Sequence, residues 1–262
     1  MSGAPIGLIA GSGRLPLLFA EAAERAGRSV VAVGHEGETD PGLRATAWVK
    51  VGQLGRIADV LQKAGVSEAV LCGGIRKPGL FQVRPDWLAI KVLARLRSFG
   101  DDAALRGIAA VLEEEGIRIV SPLPLVSDLL VQPGPIGKRR LSAEQRKDAA
   151  TGLAAARALG QADIGQTVVV KRGVVLAVEA VEGTDACIAR AGALGRGAVV
   201  VKARKPQQDD RFDVPAVGPA TVDACAAAGC SALAIEAGAT LVLDRAEVAA
   251  KADRAGIAVE GI

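Results

Sequence analysis

The first 34 residues alternate between strand-like and helix-like stretches in an order that few folds permit. An apolar stretch over 6–10 is followed by the turn Gly11-Ser12-Gly13, by a helical stretch over 17–26 and by a second apolar stretch over 29–34. A strand, a helix and a strand in this order favour two parallel strands joined by a right-handed crossover. The alternation continues to about residue 130. We therefore predict an α/β fold whose N-terminal part is a Rossmann-like parallel sheet.

The length indicates two domains, because 262 residues exceed the usual size of one hydrophobic core. Residues 132–137 are Gln-Pro-Gly-Pro-Ile-Gly, a run of turn formers that we expect to hold no regular element and to act as a linker. The prediction is a Rossmann-like domain over 1–131 and a mixed α/β catalytic domain over 138–262. The second domain is expected to open with a helix that Ser142 and Gln145 cap.

Composition excludes several classes of protein. Half of the residues are apolar and 23% are charged, as in a globular chain. A net charge of +3 and an aromatic content of 2% give no footprint for nucleic acid, so no nucleic-acid partner is expected. The four cysteines lack CxxC spacing and predict neither a zinc site nor disulfides. With no signal peptide and no apolar stretch of about 18 residues, we expect a cytoplasmic protein.

Two charged clusters follow predicted strands of the second domain. One follows the strand over 198–201 and combines four cations with three carboxylates, namely Lys202, Arg204, Lys205, Arg211, Asp209, Asp210 and Asp213. The other follows the strand over 174–178 and contains Glu179, Glu182 and Asp185. We expect the two strands to be neighbours. Carboxylates with adjacent cations are typical of a Mg²⁺ site that faces phosphate, and a solvated turn with surface ion pairs is the alternative.

Residues that the chain lacks narrow the chemistry further. It has one histidine, His35, so zinc hydrolases and di-metal phosphoesterases, which need several imidazoles, do not fit. His35 follows a strand end, where it could contact a ligand or be incidental. No tyrosine is present, which removes the proton donor of short-chain dehydrogenases. By elimination, the chemistry depends on carboxylates, lysine, arginine and a metal.

The N-terminal half offers weaker candidates. Gly11 and Gly13 resemble part of a dinucleotide-binding motif, but Pro16 stands where a third glycine is expected, and a tight strand-to-helix turn explains them equally well. Lys77 follows the end of a strand and could approach a phosphate. Asp101 and Asp102 precede a helix, which they could cap, or they could contact a ribose or uracil.

Together these motifs carry a family resemblance over the whole chain. The segments are Ile9–Pro16 (IAGSGRLP), Cys72–Pro78 (CGGIRKP), Gly100–Asp102 (GDD), Glu179–Asp185 (EAVEGTD) and Lys205–Gly218 (KPQQDDRFDVPAVG). The chain resembles the UDP-2,3-diacylglucosamine pyrophosphatases of lipid A biosynthesis, of the histidine-poor, Mg²⁺-dependent type found in α-proteobacteria and related bacteria. The combination of EGTD with QDxRxDxP is the specific part of the match.

The resemblance implies hydrolysis of UDP-2,3-diacylglucosamine to UMP and 2,3-diacylglucosamine 1-phosphate (lipid X), with Mg²⁺ as cofactor and with water attacking the β-phosphorus. From their chemistry we predict catalytic roles for Asp209, Asp210, Asp213, Glu182, Lys205 and Arg211, and Mg²⁺ ligation by Asp210, Asp213 and Asp185. We predict substrate contacts for Gly11, Ser12, Gly13, Lys77, Asp101, Asp102, Glu179, Thr184 and Gln208.

Two other functions are compatible with the same α/β architecture. A non-catalytic protein that binds nucleotide sugars or phosphosugars would show affinity without turnover. An NAD(P)-dependent oxidoreductase is disfavoured by Pro16 and by the absence of tyrosine. The resemblance leaves open a peripheral contact with the cytoplasmic face of the inner membrane, and a homodimer.

Overall fold

The computed structural model describes residues 3–75, 85–96 and 101–262, with the side chains of 101 and 102 left aside. Contacts between Cα atoms divide the chain into two compact units. The first unit contains Met1–Ser127 together with Asp209–Asp213, and the second contains Asp128–Gln208 and Val214–Ile262. The predicted α/β class with two domains is confirmed.

The first unit is a parallel sheet with flanking helices. Its strands are β1 (Gly3–Ala10), β2 (Arg28–His35), β3 (Ala47–Val49), β4 (Glu68–Cys72) and β5 (Arg118–Ile119). Its helices are α1 (Leu15–Arg25), α2 (Leu54–Lys63), α3 (Trp87–Arg95), α4 (Asp101–Glu114) and α5 (Leu123–Val126), and a 3₁₀ turn (Ser127–Leu129) follows. All the strand pairs are parallel, in the order β3-β2-β1-β4-β5. This order corresponds to five of the six strands of the doubly wound order 3-2-1-4-5-6.

The core of the first unit lies between the sheet and helices α2, α3 and α4. Helix α2 packs on the core through one apolar face. Its buried residues recur at the three- and four-residue spacing of such a face, namely Leu54, Ile57, Ala58 and Leu61. Helix α1 packs against β1, β2 and β4 and buries Phe19 completely. The sheet is therefore covered on both faces, as parallel sheets require.

The second unit is built on a mixed sheet. Its strands are β6 (Gly134–Pro135), β7 (Thr167–Lys171), β8 (Val174–Val178), β9 (Val199–Lys202), β10 (Ala216–Val217), β11 (Ala232–Ile235), β12 (Leu241–Val242) and β13 (Ala258–Gly261). Its helices are α6 (Ala143–Gln161), α7 (Thr184–Leu194), α8 (Pro219–Ala227) and α9 (Arg245–Ala255). The predicted capping box is present at the start of α6, where the Ser142 and Gln145 side chains each bond the other's backbone N–H.

The strand order of the second sheet corrects one expectation. The order is β6-β13-β11-β9-β7-β8, so β8 and β9 are not neighbours, because β7 lies between them. Strand β7 is antiparallel to both. Strands β8 and β9 therefore run in the same direction, and their carboxyl ends still lie at the same edge of the sheet.

Both faces of this sheet are covered, which explains its unbroken apolar strands. Helix α6 packs on one face with Val199 and Val201, while α7, α8 and α9 share a core with Val200 on the other. Gly152 allows the close approach of α6, because a Cβ atom there would collide with the Val201 side chain.

Residues 132–137 differ from the expected linker. Gly134 and Pro135 form the edge strand β6, which pairs with β13 through Glu260 and Gly261, so the expectation of no regular element is wrong. An edge position tolerates proline, since one side of the strand needs no donor. Asp209–Asp213, which we placed in the second domain, group with the first unit, where Phe212 is buried in the core.

Candidate functional site

The segment after β9 begins as a tight turn that its own side chains close. The Lys205 backbone N–H donates to Gln208 Oε1 at 3.2 Å, and the Gln208 N–H donates to the Lys205 carbonyl at 3.0 Å. The Lys205 ammonium lies 2.7 Å from Asp163 Oδ1, and 23% of its side chain is exposed. The Gln207 amide donates to the Gly160 carbonyl at the end of α6. The local sequence thus fixes the path of the chain towards its acidic part.

Asp209 and Arg211 form a two-pronged ion pair. Arg211 Nε lies 3.1 Å from Asp209 Oδ1, and a terminal nitrogen of its guanidinium lies 2.8 Å from Oδ2. A second cation, Arg106 on α4, is 3.4 Å from the same carboxylate. Both guanidinium groups lie over the Phe212 ring, at 5.4 Å for Arg106 and 4.8 Å for Arg211. The buried ring therefore supports a patch in which two cations share one carboxylate.

These contacts shift the pKa values of the pair in opposite directions. Hydrogen bonds from Arg211 hold the pKa of Asp209 below its usual value, and the carboxylate in turn raises the pKa of Arg211. Asp209 is therefore ionised at neutral pH. Glu113 Oε1 lies 3.8 Å from the Arg211 guanidinium as well, so two carboxylates offset the two guanidinium groups of this patch.

Asp210 and Asp213 lie on the same turn, which the Phe212 and Asp213 N–H groups close on the Asp209 carbonyl at 2.9 and 3.2 Å. Asp210 is half-buried and Asp213 is exposed. The turn brings Asp209, Asp210 and Asp213 onto one short segment of the first unit. Their predicted roles in catalysis and metal binding stay predictions.

In the second unit, Glu179 and Lys202 at the ends of β8 and β9 meet through Thr184. The Thr184 hydroxyl donates to Glu179 Oε1 at 2.9 Å and accepts from Lys202 Nζ at 3.2 Å. Lys202 also donates to the Ala216 carbonyl at 2.9 Å. Glu179 and Lys202 are both buried, at 8% and 7% exposure. A buried acid and a buried base that share one hydroxyl fix the start of α7, and we call this group the Glu179–Lys202 network.

The rest of the EGTD segment faces outward. Arg190 on α7 donates to Glu182 Oε1 at 2.6 Å and to the Val178 carbonyl at 2.8 Å, and Glu182 accepts from the Ala180 N–H. The Arg190 bond lowers the pKa of Glu182, which is therefore charged at neutral pH. Asp185 is exposed in the first turn of α7, where a negative charge stabilises the helix dipole.

The glycine turn of the first unit is locked to the turn after β4. Gly11 donates its N–H to the Cys72 carbonyl at 2.8 Å, and Ser12 donates both its N–H and its hydroxyl to the Gly74 carbonyl. A Cβ atom on Gly11 would collide with that carbonyl. Gly13 has φ +89°, and a Cβ built on it would meet no atom within 4 Å. Gly11 and Ser12 thus have structural partners, whereas Gly13 borders open space.

Three predicted substrate contacts concern side chains that the structure does not describe. Lys77 lies outside the described residues, as do the side chains of Asp101 and Asp102 at the start of α4. Their predicted substrate contacts stay predictions.

The described side chains can be compared with the ligand sets that different metal ions need. Across residues 3–75, 85–96 and 103–262, no three His, Cys, Asp or Glu side chains converge as ligands. Mg²⁺ needs no such cluster, because it keeps several waters and is held by one or two carboxylates together with substrate phosphates. Asp210 and Asp213 supply carboxylates of this kind, half-buried and exposed. The donor set therefore fits Mg²⁺, whereas a zinc site of nitrogen and sulfur ligands does not fit.

Two cations of these contacts, Arg106 and Arg190, were missed from the sequence, and Lys202 was named there only as a member of the charged cluster after its strand. Arg106 is separated from Asp209 by about a hundred positions, and nothing in the sequence connects them. Arg190 lies eight residues beyond Glu182, on the other side of a glycine. Lys202 carried a signal, since it ends an otherwise apolar buried strand, where an unpaired charge would be costly.

The two α/β units and these oxygen-donor clusters define a class, the two-domain α/β enzymes that act without a histidine cluster. Comparison with known proteins then gives the family. The model of the LpxI N-terminal domain matches residues 5–129, and the model of the LpxI C-terminal domain matches residues 132–260. The chain belongs to the LpxI family, so the resemblance seen in the sequence is confirmed. The prediction of an enzyme is confirmed with it.

One curated relative is similar from end to end. UDP-2,3-diacylglucosamine pyrophosphatase LpxI of Caulobacter vibrioides is 37% identical over 271 residues, which cover 98% of this chain and 97% of that protein. Among solved structures, the biotin carboxylase subunit of pyruvate carboxylase has a TM-score of 0.26 and 16% identity, over 64% of this chain and 35% of that one. That likeness carries no argument. No helix among the described residues is long and apolar enough to cross a membrane.

Proposed function

We propose that this protein hydrolyses the pyrophosphate bond of UDP-2,3-diacylglucosamine in lipid A biosynthesis, giving UMP and 2,3-diacylglucosamine 1-phosphate, lipid X. The observation that carries the proposal is the match over both units to a relative whose name states this activity. The proposal places the reaction in the cytoplasm. A protein that only binds nucleotide sugars is the alternative, and it would show affinity without turnover.

The residues of the Asp209–Asp213 turn support a hydrolytic role. Asp210 and Asp213 would hold Mg²⁺, with Asp185 as a further candidate ligand. Bound Mg²⁺ would neutralise charge on the pyrophosphate oxygens. Arg211 lies on the same turn as these carboxylates, and we assign binding of the pyrophosphate to Arg211 and Lys205. The Asp209–Arg211 ion pair holds the Arg211 guanidinium in a fixed position, which is how a binding site gains from pre-organisation.

The reaction then needs a water and a place for its proton. In the proposed step the water oxygen bonds to the β-phosphorus, and the bond from that phosphorus to the bridging oxygen breaks. UMP leaves with the bridging oxygen, and a carboxylate of the Asp209–Asp213 turn or Glu182 takes the proton of the water. The water oxygen therefore ends in lipid X. Thr184 and Gln208 are the proposed hydrogen-bonding residues for the substrate.

A test of these roles compares isosteric variants. Asp210→Asn and Asp213→Asn remove one charge each and keep the side-chain size, and Asp59→Asn is the control at an exposed position of α2. We expect kcat to fall by about 100-fold or more in one or both site variants, the usual effect of losing a group that stabilises charge in the transition state. The Mg²⁺ concentration for half-maximal rate should rise in a variant that has lost a ligand. Full activity in both site variants would overturn the assignment.

A peripheral contact with the inner membrane is part of the proposal, since a diacylated substrate resides in a bilayer. Helix α3 supports it, because Trp87, Ile90 and Leu93 are 75%, 46% and 50% exposed at successive three-residue steps. An apolar helix face of this kind, with tryptophan, suits the headgroup region of a bilayer. The double variant Ile90→Ser, Leu93→Ser should reduce sedimentation with anionic phospholipid vesicles. Equal sedimentation of variant and parent would contradict this contact.

A homodimer is likewise a proposal. Sedimentation velocity at several concentrations measures it, and a species of 26.6 kDa throughout would contradict it.

A further inference from the structure

A groove of about 700 Å³ opens at the carboxyl ends of β1, β2 and β3 in the first unit. Its lining residues are Gly13, Glu36, Gly37, Glu38, Thr39, Asp40, Pro41 and Trp48. This volume lies in the range of small-molecule sites. In open parallel sheets, ligands bind at the carboxyl ends of the strands. Apart from Gly13, none of the lining residues belongs to the candidate catalytic segments.

The loop that forms one wall is anchored to the end of β1. The Thr39 hydroxyl donates to the Ala10 carbonyl at 2.6 Å, and His35 Nδ1 lies 2.8 Å from the same oxygen. The His35 N–H in turn donates to the Thr39 hydroxyl at 2.8 Å. Thr39 and His35 are both buried. The groove wall is therefore held in place before any ligand binds, and the only histidine of the chain has a structural role there.

Trp48 provides an aromatic surface in the groove. It lies on β3, directly opposite Gly34 of β2. A Cβ atom on Gly34 would lie 2.8 Å from the indole ring, so the ring packs directly against the strand backbone, and only glycine leaves room for it. The ring is half-buried and also lines the groove. A fixed, half-buried indole is a stacking surface for a nucleobase.

Glu36 provides a carboxylate at the end of β2, where doubly wound sheets often carry an acidic residue that binds a ribose. It directly follows β2, and its N–H donates to the Val49 carbonyl at 2.8 Å, which fixes its backbone. Its side chain is exposed at the groove. In doubly wound sheets of this strand order, an acidic residue roughly 20 positions after the glycine turn accepts hydrogen bonds from ribose hydroxyls. Gly13, at the other side of the groove, has open space where a Cβ atom would stand, which leaves room for a phosphate.

We propose that this groove binds the nucleoside of the substrate, with Trp48 stacked on the base and Glu36 bonded to the ribose hydroxyls. That the nucleotide is a uridine nucleotide rests on the proposed function. The groove itself is defined by the sheet end, the indole and the carboxylate. Glu36 and Trp48 are thus specificity-determining residues that read the sugar and the base, apart from the groups that act on the pyrophosphate.

The test uses Trp48 as its own reporter. The chain has two tryptophans, so Trp87→Phe, a change at an exposed site, leaves Trp48 as the only one. We expect UMP to quench the fluorescence of Trp48, and inorganic phosphate to leave it unchanged. Glu36→Gln in this background should weaken UMP binding by about tenfold, the loss of roughly one charge-assisted hydrogen bond. The same change should weaken the binding of 2′-deoxy-UMP by less, because this nucleotide keeps only the 3′-hydroxyl.

A second carboxylate variant is the matched control. Glu21→Gln removes one exposed carboxylate of α1 and should leave both nucleotides unaffected. Absence of quenching by UMP, quenching by phosphate alone, or equal losses for UMP and 2′-deoxy-UMP in Glu36→Gln would overturn the proposal. Hydrolysis of the diacylated substrate is measured separately. Turnover without quenching would reject the groove and keep the pyrophosphatase, and quenching without turnover would do the reverse.

Discussion

The Glu179–Lys202 network offers a quantitative test of the second unit. Thr184→Val keeps the shape of the side chain and removes the hydroxyl that donates to Glu179 at 2.9 Å and accepts from Lys202 at 3.2 Å. The two charged groups would stay buried with fewer partners. Glu179 would keep the Gln166 N–H at 3.4 Å, and Lys202 would keep the Ala216 carbonyl.

The expected cost follows from these contacts. A hydrogen bond to a charged group contributes about 1.5 to 3 kcal/mol, and a buried charge that loses its partner adds a desolvation penalty. Two such bonds are lost, but each charged group retains at least one other partner. We therefore expect the free energy of unfolding of the second unit to fall by about 3 kcal/mol. With an m value of roughly 2 kcal/mol/M, the urea midpoint falls by about 1.5 M.

The assay is urea unfolding followed by circular dichroism, with Thr151→Val as the control. Thr151 lies on α6 and donates only along its own helix, to the Lys147 carbonyl. The control should change the midpoint by less than about 0.3 M, because surface substitutions usually cost within 0.5 kcal/mol. A Thr184→Val midpoint equal to that of the control would refute the claim that this hydroxyl joins two buried charges.

Three further predictions concern the first unit and the thiols. Gly11→Ala should lower the free energy of unfolding, measured in urea, by about 3 kcal/mol or more, because its Cβ would collide with the Gly74 carbonyl. Gly74→Ala is the control and should cost less than about 1 kcal/mol, since its Cβ would lie 3.7 Å from its nearest neighbour. Equal costs for the two variants would contradict the collision. Burial lowers the pKa of His35 below 6.5. As the pH falls below 6.5, the imidazole therefore takes up a proton in the unfolded chain before it does so in the folded chain, and the folded protein loses stability. As the chain has one histidine, its imidazole NMR signals report this directly, and a midpoint at or above 6.5 would be the contrary result. Burial raises the pKa of Cys187 to about 11 and that of Cys72 further, so iodoacetamide at pH 8 should leave both unlabelled in the folded protein, and rapid labelling would count against their burial.

Much of the fold is visible in the sequence because its signals are local. The βαβ opening predicts parallel strands, and the Ser142 capping box marks the start of α6. Strands β3 and β13 were not predicted, since β3 has only three residues and β13 contains the charged Glu260. Glu260 is acceptable there because the Leu141 N–H and Arg146 satisfy its carboxylate. A buried charge with distant partners breaks the apolar pattern that identifies a strand.

The candidate site, like the fold, is predictable from the sequence only where its signals are local. Its acidic residues are recognisable because they follow apolar strands, but their partners depend on the fold. Arg106 contacts Asp209, although they are far apart in sequence. Lys202 meets Thr184 only because β7 places β8 and β9 with their ends at one edge. The sequence thus identifies which residues carry the charge, whereas the fold decides how those charges are paired.

The measurement that tests the central claim most directly is the fate of the substrate itself. The purified protein is incubated with UDP-2,3-diacylglucosamine in H₂¹⁸O, with Mg²⁺ or with EDTA, and the products are weighed by mass spectrometry. The account predicts release of UMP and lipid X with Mg²⁺ only, and ¹⁸O in lipid X. Tight binding of the substrate without turnover would contradict it and favour a binding protein, and ¹⁸O in UMP would contradict attack at the β-phosphorus.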